Sequence, residues 1–179
     1  MSSTGRAAVP GSGSGRAAPH SATATGRGEA GSVGGMRIAV AADSTDGVAA
    51  VLVDELGRRG HEVRAHGALA AGDRADWAWS AEAAARDVAD GRADQAVVCC
   101  WTGTGASIAA NKVPGVRAAL CADAYTATGA RRWNDANVLA LSLRTVSEPE
   151  LGEILDAWFA GTPSTDDEDR ANIAHTAEI

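Results

Sequence analysis

The chain has 179 residues, enough for one ordinary domain and an extension, with 45% hydrophobic and 22% charged residues. That balance excludes wholesale disorder and a fibrous repeat. A net charge of −7 and a pI near 5.0 exclude the basic face of a nucleic-acid binder. No apolar run approaches the ~20 residues of a membrane span. Aromatic residues make up only 4%, so the core has to be built from small aliphatic side chains.

Residues 1–35 carry Gly, Ser, Ala and Thr with scattered Arg and no periodic apolar pattern. Such a segment buries too little surface to offset its ordering entropy, and it reads as a disordered, low-complexity extension. It lacks the continuous apolar region of a secretory signal. Met36 opens the patterned part, read as a single α/β domain over 36–179. Because Arg6, Arg16 and Arg27 outweigh Glu29, the extension is +2 and the domain −9.

From Met36 the pattern alternates. Arg37–Ala42 reads as a buried strand, followed by Asp43 and a helix whose apolar positions are Val48, Val51, Leu52 and Leu56. Gly57 and Gly60 lie near its end, where glycine serves as a cap. His61–His66 is a more polar strand, expected nearer an edge. A loop to Asp76 leads into a helix across Trp79 to Val88. Gln95–Trp101 is a third strand, and the loop 102–106 leads to a short helix from Ser107. Val116–Cys121 and Asn137–Leu141 are the fourth and fifth strands, with a helix near Ala124–Arg132 between them. Leu151, Ile154, Leu155, Trp158 and Phe159 form the stripe of a last amphipathic helix. Strands alternating with helices predict right-handed crossovers and a parallel sheet of about five strands, covered on both faces.

In such a sheet ligands bind beyond the carboxyl ends of the strands. Three segments are assigned to that edge: Asp43-Ser44, Cys100–Ser107, and Trp133–Asn137 before strand five. Gly103-Thr104-Gly105 lets backbone N–H groups approach a ligand, which suits a phosphate or a developing oxyanion. The loop lacks the third glycine of a dinucleotide fingerprint, and no P-loop Lys follows. Cys99 and Cys100 are adjacent on a strand and point to opposite faces, so they are poorly placed to pair. With Cys121 they read as reduced thiols of a cytoplasmic protein. Cys99 and Cys121 are expected to be core fillers.

The run from Cys100 to Cys121, CWTGTGASIAANKVPGVRAALC, with Asn134–Ala140, NDANVLA, closely resembles the ribose-5-phosphate isomerase B family, which includes galactose-6-phosphate isomerase subunits. The resemblance extends from Met36 to about Phe159. It implies a Rossmann-like α/β/α sandwich, a homodimer whose active sites are lined by both chains, and aldose–ketose isomerisation through a cis-enediolate without metal or cofactor. Cys100 then stands where the family's proton carrier does, and Thr102 is assigned a catalytic part beside it. A thiolate can take a carbon-bound proton when its surroundings favour the anion. Asp43 matches a residue that contacts substrate hydroxyls, and Asn134 and Arg144 match pocket-lining positions. The substrate-binding set is Asp43, Ser44, Trp101, Gly103, Thr104, Gly105, Ser107, Trp133, Asn134, Arg144 and Arg170. The partners implied are a small sugar or sugar phosphate, ribose 5-phosphate by default, and a second copy of the chain; neither nucleic acid nor membrane is implied.

Departures from the family cluster at the working end. Ser44 and Trp133 stand where the family has His, and Trp101 replaces a glycine. Asp166-Asp167-Glu168-Asp169-Arg170 replaces a basic segment that grips phosphate. Trp101 and Trp133 are expected to form one apolar wall, around a substrate that lacks a phosphate or carries it elsewhere. A core position for both indoles is the competing reading, and a catalytically silent sugar- or nucleotide-binding paralogue is the competing function.

Overall fold

The computed structural model describes residues 35–179, so the expectation for the extension lies, Gly35 apart, outside the described residues. The elements follow the predicted alternation: β1 (Arg37–Ala42), α1 (Ala49–Arg58), β2 (Glu62–Gly67), α2 (Trp77–Ala89), β3 (Gln95–Cys100), α3 (Thr104–Ala110), β4 (Ala118–Leu120), α4 (Ala124–Asn134), β5 (Val138–Ser142), α5 (Glu148–Ala160) and α6 (Asp167–Thr176). The five strands form one sheet in the order β2-β1-β3-β5-β4, every neighbour parallel. The polar β2 is an edge strand, as its composition predicts. The order reverses direction beside β1, where crossovers leave a crevice at the carboxyl edge.

Strand alternation divides the core into two layers of different character. Ile38, Val40, Ala42, Val97, Cys99, Leu139 and Leu141 face α1, α4 and α5, where Leu52, Leu56, Ile154, Leu155 and Trp158 pack against them. The opposite face carries Ala39, Ala41, Ala96, Val98, Cys100 and Ala140, against Ala81, Ala84 and Ala85 of α2 and Ala106 and Ala110 of α3. Small side chains on both sides let α2 and α3 approach the sheet closely. Cys99 and Cys100 thus enter different layers, as a period of two demands.

Two element readings are corrected. α3 starts at Thr104 rather than Ser107, because Gly103 adopts φ +75° and turns the chain directly into the helix. The acidic stretch forms α6, whose first turn holds Asp167, Glu168 and Asp169. Carboxylates at that end favour a helix. α6 buries no residue, so it leaves no apolar period in the sequence.

Candidate active site

Asp43 ends β1, Cys100 ends β3 and Ser142 ends β5, so register alone brings these three segments together at the carboxyl edge. The Trp101 peptide ties them. Its amide favours the charged form of the Asp43 carboxyl. Its carbonyl accepts from Ser142 Oγ at 3.0 Å and from the Arg144 N–H at 3.0 Å. The Cys100 carbonyl accepts from the N–H groups of Gly103, at 3.1 Å, and Leu143, at 3.0 Å. Ser142 was not among the sequence candidates; its place at the end of β5 was the available signal.

The turn has room for glycine only. A Cβ on Gly103 would lie 2.5 Å from Leu120 Cδ1 and 2.9 Å from the Leu141 carbonyl carbon and oxygen. Beyond the turn, the Ala106 N–H donates to Cys100 Sγ at 3.5 Å. Cys100 is 5% exposed. Burial drives the Cys99 thiol far above the ordinary thiol range and pushes Cys121 up to about 12. Thr102 and Thr104 join their hydroxyls at 2.7 Å on the outer face of the turn. Ser107 continues α3, its N–H on the Gly103 carbonyl at 3.0 Å.

Asp43 does not cap α1, whose N-cap is Val48 with no side-chain bond. Burial raises the Asp43 carboxyl above its usual range, and Asp46 adds to this; its own N–H and that of Trp101 pull the other way. Ser44 Oγ donates to Asp46 at 2.9 Å and accepts the Asp46 N–H at 3.0 Å, so its hydroxyl is held in a local turn. Beside these groups a cavity of about 220 Å³ is lined by Thr102, Leu120, Cys121, Ser142, Arg144 and Thr145. Arg144 is exposed there and brings a cation to the edge.

The segment Trp133–Asn137 does not reach this place. A segment preceding a parallel strand sits at the amino edge, since α4 has carried the chain back along the whole sheet. Asn137 shows this directly: its side chain accepts the Arg117 N–H at 2.8 Å and donates to the Gly115 carbonyl at 3.0 Å, both just ahead of β4. From Val138 to Ser142 the sheet rises roughly 13 Å. Asn134 instead lines a cavity of about 490 Å³ with Asn111, Arg117, Ala136, Thr176 and Ile179. The shared wall of Trp101 and Trp133 is therefore absent within one chain, and so is the core alternative, because the two indoles are 56% and 42% exposed. Trp133 lies over Gly129 and meets Tyr125 edge to face at 6.2 Å. Arg170 is exposed on α6 and pairs with Asp167 at 3.9 Å. Among the described residues no three His, Cys, Asp or Glu side chains gather as a metal-holding set.

A five-stranded parallel α/β/α sheet, with a thiol under a glycine turn and a carboxylate and a serine at the ends of neighbouring strands, defines a Rossmann-like protein. The comparisons with known proteins give the particular family. The profile of the Ribose/Galactose Isomerase family matches residues 35–175, and the chain belongs to that family. It is 41% identical over 108 residues to ribose-5-phosphate isomerase B of Escherichia coli (strain K12), covering 60% of this chain and 72% of the relative. It is 46% identical over 76 residues to D-erythrulose-4-phosphate isomerase of Pectobacterium atrosepticum, covering 42% of this chain and 49% of that one. Among solved structures, Clostridium thermocellum ribose-5-phosphate isomerase B superposes with a TM-score of 0.73 at 33% identity, over 80% of this chain and 96% of that one.

Proposed function

We propose that the chain is an aldose–ketose isomerase of a small sugar phosphate, with Cys100 carrying the proton. The observation that supports it most is the Ala106 N–H donating to Cys100 Sγ at the end of β3, beneath a turn whose Thr102, Thr104 and Gly105 amides have no partner among the described residues and can take a substrate oxygen. The Cys100 thiolate removes the proton from C2 of the aldose. The C2–H electron pair forms the C1–C2 double bond, and the carbonyl pair moves onto O1. The Thr102, Thr104 and Gly105 amides hold the charge on the resulting enediolate, the largest contribution a preorganised site makes. The thiol then returns the proton to C1, while the Thr102 hydroxyl passes a proton between O1 and O2. Atoms and electrons balance with no outside oxidant. Asp43 and Ser44 bind substrate hydroxyls, and Trp101, Gly103, Thr104, Gly105 and Ser107 shape the bed. Arg144 takes the phosphate.

Trp133, Asn134 and Arg170 belong to this reading through a second copy of the chain. A two-fold dimer that brings the amino edge of one sheet to the carboxyl edge of its partner's completes the pocket. Three free cysteines support a reducing, cytoplasmic setting, and among the described residues no helix is long and apolar enough to cross a membrane. The test follows ribose 5-phosphate, erythrulose 4-phosphate and galactose 6-phosphate by ¹³C NMR, wild type beside Cys100→Ala. Interconversion of at least one, lost in the variant, is the expected result. No turnover of any of them overturns the isomerase reading.

A further inference from the structure

Trp77 opens α2, at the same edge of the sheet as Cys100, and it has no partner in the chemistry described so far. Its six-membered ring lies flat on Gly105: a Cβ at that glycine would stand 3.0 Å from Trp77 Cε3, 3.1 Å from Cδ2 and 3.3 Å from Cζ3. Gly105 immediately precedes Ala106, whose N–H is the donor to the Cys100 sulfur. On the other side of this turn, Gly103 is wedged against Leu120 and the Leu141 carbonyl. The segment is thus gripped from two directions, by the β4–β5 side through Gly103 and by α2 through the indole. Behind the indole, Ala81, Ala84 and Ala85 of α2 pack with Ala106 and Ala110 of α3 in the alanine layer that also holds Cys100.

The neighbouring aromatic is committed elsewhere. Trp79 carries the Arg74 guanidinium 3.4 Å above its ring, and Arg74 in turn donates to Asp76 at 2.8 Å. Trp77 is 46% exposed, more than a core tryptophan such as Trp158 at 0%, so a simple core-filling purpose does not account for it. An aromatic plate pressed on a glycine costs little side-chain entropy and leaves the backbone beneath it a single position.

We infer that Trp77 is a positioning residue for the proton carrier: its ring fixes the Gly105-Ala106 peptide, and through that peptide the donor on Cys100. This rests on the isomerase reading for its consequence in turnover, but the geometric part stands apart from it. An amide displaced by about 1 Å from a reacting group lowers rate on the order of a hundredfold, so partial loosening is expected to cost less.

The experiment uses the full chain and four variants, Trp77→Ala, Trp77→Phe, Gly105→Ala, and Trp77→Ala with Gly105→Ala. Hydrogen–deuterium exchange reads the 103–107 amides, and sugar-phosphate kinetics read the chemistry. Trp77→Ala is expected to speed exchange there about tenfold while α1 and α5 stay as in wild type, and to lower kcat about tenfold with KM within about twofold. Trp77→Phe restores most of both. Gly105→Ala, whose methyl has to displace the ring, loses kcat as well, and the double variant is no worse than either single because the methyl occupies the space the ring left. Unchanged exchange at 103–107 in Trp77→Ala, or losses that simply add in the double variant, overturns the inference. Faster exchange in a protein that turns over no sugar phosphate upholds the positioning and sinks only the isomerase reading.

Discussion

Replacing Gly103 by Ala separates the two demands that the turn makes on its residue. Gly103 has φ +75°, a conformation that costs an L-residue about 1–2 kcal/mol. It also lacks room, with Leu120 Cδ1 2.5 Å and the Leu141 carbonyl 2.9 Å from a Cβ. Leu120 ends in a flexible group and can yield, but the Leu141 carbonyl belongs to a central strand, so overpacking adds about 1–3 kcal/mol. Gly91 supplies the control: φ is +71° and nothing lies within 4 Å of its Cβ position. Gly91→Ala is therefore expected to cost about 1 kcal/mol and Gly103→Ala about 3 kcal/mol. At about 3 °C per kcal/mol for a domain near this size, Tm falls by about 3 °C and 9 °C respectively. Urea unfolding with a shared m-value, checked by calorimetry, measures both. Equal losses in the two variants would refute the close-approach argument and leave only the backbone term.

A two-chain site makes a sharp prediction for mixed oligomers. Cys100→Ala and Asn134→Ala chains are each expected to be inactive, yet co-expressed chains regain about a quarter of wild-type activity, since half of randomly paired dimers hold one intact site of two; no regain would place Asn134 outside the partner's pocket. Arg144→Ala should raise KM for a phosphorylated sugar by about tenfold to a hundredfold, the loss of a charge-assisted hydrogen bond, and leave the unphosphorylated sugar unaffected in a competition assay. The buried Asp87 links α2 to β2 and to the following turn, accepting from Arg92 Nε at 2.6 Å and meeting His66 Nε2 at 2.7 Å, with Arg64 at 3.3 Å. Burial pushes this carboxyl upward, but the hydrogen bonds from Arg92 and His66, then the charges of His66 and Arg64, bring it below its usual range. A depressed folded value means stability that is present above the unfolded carboxylate pKa of about 3.9 and is lost as pH falls below it. Asp87→Asn is expected to lower stability at pH 7 by about 2 kcal/mol and to flatten that acid limb in urea midpoints taken between pH 3 and 7.

The strand-helix alternation was legible because β1, β3 and β5 are continuous apolar runs buried on both faces, the pattern a covered parallel sheet demands of its inner strands. The thiol and its glycine turn were legible for the same reason, since a motif confined to one loop keeps its geometry in sequence. Trp133 and Asn134 misled because nearness along the chain to β5 does not say which end of β5; only the direction of α4 does. Trp77 was missed because its partner is a glycine, and a close approach to a missing side chain leaves no complementary signal. α6 escaped because a helix that buries nothing has no period to read.

The most direct measurement is isotope exchange in heavy water at the carbon next to the carbonyl of a turned-over sugar phosphate, read by mass spectrometry. The account predicts deuterium entering that position with wild type and a rate lower by about 10² or more with Cys100→Ala, while urea unfolding shows the variant folded. Exchange that continues undiminished without the sulfur would contradict it, and would hand the proton to another group.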